Sequence, residues 1–258
     1  MENKLALITG ASGGIGEAFG HVLAAEGYDL VLVARRDQEL HRVKGVITSK
    51  VPVAVHVIAL DLNESGAVDA LAAEMAGRNL IPSIVINNAG FALIGPLAEL
   101  SRDEQLRMID LNVRVLSDLT MRFLPNMLAG KSGGIINVAS VAGFMPGPLM
   151  AVYFATKNYV LSFGDALNSE LRGTGVTLTT LCPGTVKTGF QARAGQIERG
   201  STLSAFDVAS QGWAGFKARR RIVIPGIFNQ IVAYGLRVTP RRLSLPFIKQ
   251  VMGRRRAT

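Results

Sequence analysis

Tyr153 and Lys157 stand four residues apart in the stretch AVYFATKNY, among side chains that are otherwise mostly small or apolar. Residues at i and i+4 share one face of a helix, so the lysine is expected to lean over the surface that carries the phenol. An ammonium on a buried or half-buried face is costly unless something uses it. A phenol can use it. A positive charge about 4 Å away favours the phenolate by roughly 4 kcal/mol at an effective dielectric of 20, which lowers a tyrosine from its ordinary value near 10 by up to about 3 pH units. Burial opposes that shift, so the expected net lowering is smaller. The spacing alone also fits a surface helix with an idle pair, and other segments must decide between the two.

A second chemistry-bearing stretch is TGASGGIG, Thr9 to Gly16, which follows the first apolar run and opens a helix. Glycines allow a tight turn and the close approach of backbone to pyrophosphate, and a helix N-terminus offers unpaired N–H groups to negative charge. The second apolar run ends LVLVARRD, with Arg35 and Arg36 where an NAD site carries an acid. A guanidinium can bind a 2′-phosphate bidentately, so NADP(H) is the preferred cofactor, with NAD(H) as the alternative because Asp37 stands close by.

These residues need a scaffold that brings them together. Runs rich in Val, Ile and Thr at residues 5–9, 30–34, 53–60, 83–88, 134–140, 176–181 and 221–226 alternate with segments of helical periodicity. Continuous apolar strands are buried on both faces, as in a parallel sheet covered by helices, so the fold class is α/β, a doubly wound Rossmann-like sheet in one domain. Residues 1–226 are expected to form the cofactor-binding and catalytic domain, and 227–258 a basic amphipathic helical extension packed on it.

NNAG (residues 87–90) follows the fourth strand, Asn112 falls in the next long helix, and Ser140 ends the fifth strand. Tyr153 and Lys157 then complete a Ser-x12-Tyr-x3-Lys spacing, and CPGTVKT (182–188) follows the sixth strand. Together with TGASGGIG, this order resembles the short-chain dehydrogenase/reductase family in its compact single-domain branch. The resemblance implies that Tyr153 is the general acid or base at the carbonyl oxygen and that Ser140 holds that oxygen. It further implies that Lys157 binds the nicotinamide ribose, while Asn112 holds a water linking Lys157 to solvent. Gly10, Ser12, Gly14, Ile15 and Gly16 would meet the pyrophosphate, Asp61 and Leu62 the adenine, and Asn88, Ala89 and Gly90 the cofactor's middle. Pro183, Gly184, Val186 and Thr188 would cap the nicotinamide side. The four-residue Tyr–Lys spacing implies carbonyl and alcohol chemistry rather than enoyl reduction. Gly13 occupies a position where NADP-binding members often carry a basic residue, which leaves the phosphate mainly to Arg35, and to Arg36 if it turns inward. A catalytically silent NADP(H) sensor on the same fold is the alternative, though it needs no tyrosine.

Substrate recognition in such folds sits in loops beyond the strands' C-terminal ends. Phe91, Leu93, Phe144, Met145, Leu149, Met150 and Phe190 in those loops point to an apolar pocket for a lipophilic carbonyl or alcohol.

The 258 residues are 48% hydrophobic and 18% charged, which excludes a disordered chain, and no apolar run reaches the length of a membrane span. The start MENKLALITG reads as a first strand and not as a secretory signal. A single cysteine, Cys182, forms no internal disulfide and fits a reducing, cytoplasmic setting, and three histidines without clustering make a metal site unexpected. The net charge of +9 is uneven: residues 208–258 hold 11 Lys and Arg and no acid, leaving the rest near −2. That tail, with Leu243, Phe247, Ile248, Val251 and Met252 gathered on one helical side and breaks at Pro240 and Pro246, is expected to present its cations to anionic lipid or an acidic carrier protein. Nucleic acid is not expected, since aromatics do not interleave the basic run. The long helices near residues 103–129 and 149–172 are those from which a homodimer or homotetramer would be built.

Overall fold

Strand register follows from side chains that alternate between two apolar interiors. In β1 (Leu5–Thr9), Leu5 and Leu7 enter one core cluster while Ala6 and Ile8 enter the other, so the strand is buried on both faces. A computed structural model describes residues 4–190, 194–195 and 203–254 of the chain. The parts of the loop after Phe190 at 191–193 and 196–202, and the terminal residues 255–258 with two of the tail arginines, lie outside the described residues.

The main sheet adds β2 (Asp29–Ala34), β3 (Val55–Ala59), β4 (Ile84–Asn87), β5 (Gly134–Val138), β6 (Thr177–Leu181) and, beyond a two-stranded ribbon, β9 (Ile222–Val223). All pairs are parallel, in the order β3-β2-β1-β4-β5-β6-β9. The order reverses between β1 and β4, and the crevice above their carboxyl ends is where such sheets bind ligands. The ribbon pairs β7 (Val186–Lys187) with β8 (Leu203–Ser204). The seventh strand of the main sheet is shorter than its apolar run because Pro225 and Gly226 end it.

Helices α1 (Gly14–Ala25), α2 (Asp37–Thr48) and α7 (Ala205–Lys217) cover one face, with Phe19, Leu40 and Trp213 in a shared core. On the other face lie α3 (Ala67–Gly77), α5 (Leu116–Gly130) and part of α6 (Ala151–Glu170), through Leu71, Phe123 and Leu167. The long helix expected around residues 103–129 is not uniform. It runs as α4 (Arg102–Ile109), opened by Ser101 whose hydroxyl accepts from the Glu104 N–H, then a π turn at Asp110–Val115, then α5. A wider turn of this kind commonly marks a functional site, and this one carries Asn112.

After β9 come α8 (Ile227–Val238) and α9 (Arg241–Gly253), which lay Ala233 and Ile248 into a third core cluster with Phe144 and Tyr153. Two expectations are corrected here. Pro246 lies inside α9 and does not interrupt it: the proline removes one donor, while Ser244 and Ile248 on either side are anchored against the body. The expected single apolar side of α9 is also split, because Ser244 and Ile248 are buried whereas Leu243 and Phe247 are exposed. Each pair is spaced i, i+4, and the two stripes lie about 100° apart around the helix, so one body surface cannot cover both. Among the described residues no helix is long and apolar enough to cross a membrane.

Candidate active site

The ends of β1 and β4 are locked together by polar groups. Thr9 Oγ1 accepts the N–H groups of Asn88 and Ala89, each at 3.0 Å, and Asn88 Nδ2 donates to the Thr9 carbonyl at 2.9 Å. Gly10 then turns with φ +66°, and a Cβ there would stand 2.8 Å from Asn88 Nδ2 and 3.0 Å from Ala89 Cα, so only glycine brings the two strand ends this close. The start of α1 has no side-chain cap, which leaves its first amides to face the cleft. Gly16 behaves differently from its expected cofactor-binding role. It does not line the cleft, and a Cβ there would sit 2.4 Å from the Gly10 carbonyl oxygen, so it is the glycine that lets α1 pack on the turn.

The cleft runs from Ser12, Gly14, Ile15, Arg35, Arg36, Asp61 and Leu62, past Asn88, Ala89 and Gly90, to Ser140, Tyr153 and Lys157. Pro183, Gly184, Val186, Thr188, Phe91 and Phe190 close the same end. Gly13, Asn63, Val138 and Ala139 also line it, each adjacent to a motif that the sequence does display. At the far end Arg36 turns inward, and its Nη2 donates to the Ser12 carbonyl at 3.1 Å and to Ser12 Oγ at 3.2 Å. Arg35 Nη1 lies 3.6 Å from Asp61 Oδ2, which also receives Arg107 Nη2 at 3.3 Å. Arg107 comes from α4, and no local pattern around it signals a place beside the cleft.

At the opposite end, Ser140 follows β5 and its hydroxyl accepts the Ala142 N–H at 3.2 Å while donating to the Pro183 carbonyl at 3.4 Å. The short 3-10 turn at Val141–Phe144 presses on α6: a Cβ at Gly143 would meet the Lys157 carbonyl oxygen at 2.7 Å. This contact fixes Ser140 against Tyr153 and Lys157, both buried. Lys157 Nζ donates to the Val138 carbonyl at 2.9 Å and stands 5.9 Å from the centre of the Tyr153 ring. Asn112 is wholly buried and does not line the cleft. Its Oδ1 accepts the Phe91 N–H at 3.2 Å, and its Nδ2 donates to the Phe91 carbonyl at 3.1 Å and to Thr156 Oγ1 at 3.2 Å. Gly90 separates it from the lysine, since a Cβ there would be 2.8 Å from Asn112 Oδ1 and 3.8 Å from Lys157 Nζ.

Burial pushes the Tyr153 phenol up to about 12, against a hydrogen bond with Ser140 that favours ionisation. Burial likewise pushes the Lys157 ammonium down to about 8, with the neighbouring Cys182 opposing. The expected net lowering of Tyr153 by Lys157 is therefore overturned: the phenol is raised by burial. The low-dielectric surroundings disfavour both charged forms, and one of the ammonium's N–H groups is donated to the Val138 carbonyl.

The apolar residues assigned to substrate divide. Phe91 and Phe190 line the cleft, and the Phe190 ring centre lies 6.0 Å from that of Tyr153. Phe144, Met145 and Leu149 do not line it; with Leu93 and Met150 they belong to the third core cluster. Phe144 packs edge-on against Tyr234 of α8 with ring centres 6.1 Å apart, and the Leu149 carbonyl accepts the Gly95 N–H at 2.8 Å. They support the pocket from beneath because α8 and α9 cover them.

Known proteins resemble this chain in sequence and in fold. A sulfoacetaldehyde reductase from Chromohalobacter salexigens is 40% identical over 215 residues, 79% of this chain and 84% of that one. A short-chain dehydrogenase from Sphingobium yanoikuyae, solved in complex with NADPH, superposes with a TM-score of 0.81 at 30% identity, covering 90% of this chain and 91% of that one. A short-chain dehydrogenase/reductase from Burkholderia phymatum in complex with NAD matches at a TM-score of 0.81 and 27% identity, over 90% of this chain and 92% of that one. The family model described as short chain dehydrogenase spans residues 4–198, from the first strand past the last of the cleft residues. By sequence and by fold this chain belongs to the short-chain dehydrogenase family, and it is an oxidoreductase of the CH–OH/C=O type.

Proposed function

We propose that this oxidoreductase interconverts a carbonyl and an alcohol on an apolar substrate with NADP(H), using Tyr153 as the general acid or base. The observation that carries the reading is the convergence of a buried phenol, an ammonium and a serine hydroxyl at one end of a cleft whose other end is a glycine turn flanked by two arginines. The cleft fits the dinucleotide: Gly10, Gly13 and Gly14 line it without side chains, the uncapped start of α1 offers amides to pyrophosphate, and Arg36 is already held over the turn. Bound there, the cofactor supplies or accepts the hydride. Tyr153 holds the proton at its hydroxyl, Ser140 orients the substrate oxygen, and Lys157 places positive charge beside both. Asn112 acts as a positioning residue that clamps the Phe91 backbone next to Gly90.

Arg35 and Arg36 favour the phosphorylated cofactor, with NAD(H) as the weaker ligand; the Sphingobium protein was solved in complex with NADPH. Phe91 and Phe190 around Tyr153 favour an apolar substrate over the charged aldehyde named for the Chromohalobacter relative. Ile109, Met121 and Tyr159 are exposed on α4, α5 and α6 and support self-association through those helices. Fluorescence titration is expected to show NADPH binding more tightly than NADH, and Arg36→Ala is expected to weaken NADPH about tenfold or more while NADH changes by less than about twofold. Equal wild-type affinities overturn the NADP(H) preference. A panel monitored by NADPH absorbance is expected to rank lipophilic ketones and aldehydes above sulfoacetaldehyde, and the reverse ranking overturns the apolar pocket.

A further inference from the structure

The apolar side chains of α8 fall on two faces. Val232, Ala233 and Leu236 turn into the third core cluster, whereas Ile227, Ile231, Tyr234 and Val238 form a second stripe between 52% and 82% exposed. Phe228, 75% exposed, widens that stripe. On α9, Leu243 and Phe247 are likewise 64% and 60% exposed while Ser244 and Ile248 are buried. A helix that is apolar on all sides is ordinarily covered on all sides. Here two consecutive helices leave seven large hydrophobic side chains uncovered among the described residues, far from the scattered exposure normal on a surface.

The charge around these stripes has one sign. Arg237, Arg241, Arg242, Lys249 and Arg254 lie on or beside the two helices, and no acid occurs from residue 208 to the end of the chain. We infer that α8 and α9 form a docking surface for an anionic phospholipid bilayer. Their exposed stripes enter the boundary between headgroups and acyl chains, and the guanidinium and ammonium groups reach the lipid phosphates. A second copy of the chain fits the face poorly, because a self-complementary contact sets these cations against their own counterparts with no carboxylate from the same segment between them. The face adjoins the site through the Tyr234–Phe144 contact and through Asn229, whose Oδ1 would lie 2.3 Å from a Cβ at Gly184. A bilayer here lies beside the apolar end of the cleft.

Sedimentation of the full chain with phosphatidylcholine vesicles, with and without phosphatidylglycerol, tests the docking surface. Binding to the anionic vesicles is expected to be about tenfold or more tighter than to the neutral ones, and to weaken as salt rises. The double substitution Ile231→Asp/Val238→Asp is expected to reduce it about tenfold or more, with melting temperature and NADPH affinity unchanged because both residues are exposed. Phe228→Ser/Phe247→Ser gives a second, uncharged probe of the same face. Arg241→Gln/Arg242→Gln is expected to weaken binding to the anionic vesicles only. Four results each overturn the proposal: no binding to anionic vesicles at low salt; binding that survives both apolar double substitutions; an oligomer that these substitutions dissociate without any vesicle binding; or an acidic acyl-carrier protein binding the face while vesicles do not.

Discussion

Tyr153→Phe is expected to lower kcat for ketone reduction by about 10³-fold while leaving the dissociation constant for NADPH within about twofold of wild type. The substitution keeps the ring, which packs against Phe154 at 6.1 Å and Phe190 at 6.0 Å between ring centres, so the fold loses little. What disappears is the proton that the alkoxide needs as it forms. Ser140 cannot replace it efficiently, because its hydroxyl is engaged with the Pro183 carbonyl and its own acidity is far weaker than a phenol's. With burial holding the phenol up near 12, Tyr153 keeps its proton throughout the physiological range and enters reduction as a ready acid. Oxidation of the alcohol requires the phenolate instead, so its rate is expected to climb with pH over a range where reduction does not. Stopped-flow measurement with saturating NADPH and a lipophilic ketone checks the first expectation; retention of turnover within about tenfold of wild type refutes the assignment of Tyr153 as proton donor.

Much of this arrangement is legible from the sequence, for reasons that can be named. The strands announce themselves because both faces are buried, so LALIT and DLVLVA show no polar interruption where a one-sided strand would. Ser140, Tyr153 and Lys157 are legible because two sit one helical turn apart and the third comes just after a strand. Three features were not legible. The π turn at Asp110–Val115 changes the helical period over only six residues, too short for a pattern to register. The placement of Phe144, Met145 and Leu149 beneath the pocket depends on where α8 and α9 come to rest, a tertiary fact with no local signal. The direction of the Tyr153 shift depends on how completely the phenol is shielded from water, and sequence spacing places a lysine nearby without revealing that burial sets the direction.

Lys157→Met is expected to separate stability from activity: kcat/KM falls by about 10²-fold or more, yet the protein melts no lower at neutral pH. The buried ammonium titrates near 8 instead of 10.5, and at 1.36 kcal/mol per pH unit keeping it charged at pH 7 costs the fold roughly 3 kcal/mol. Methionine fills a similar volume without charge. It gives up the hydrogen bond to the Val138 carbonyl, worth about 1 kcal/mol net, so the balance favours the variant. The sign of the pH dependence follows from proton counting. Between about 8 and 10.5 the unfolded chain holds the lysine proton and the folded chain has released it, so the wild type gains stability as pH rises through that window. The variant lacks that gain. Activity runs the other way, since kcat/KM for reduction in the wild type is expected to fall as the ammonium beside Tyr153 is neutralised above about 8. Urea melts of both proteins at pH 7 and pH 9.5, with kcat/KM profiles across the same range, decide the matter. A variant that keeps turnover within about tenfold of wild type, or that loses stability at pH 7 and retains the alkaline gain, shows that the buried cation serves the fold and not the chemistry.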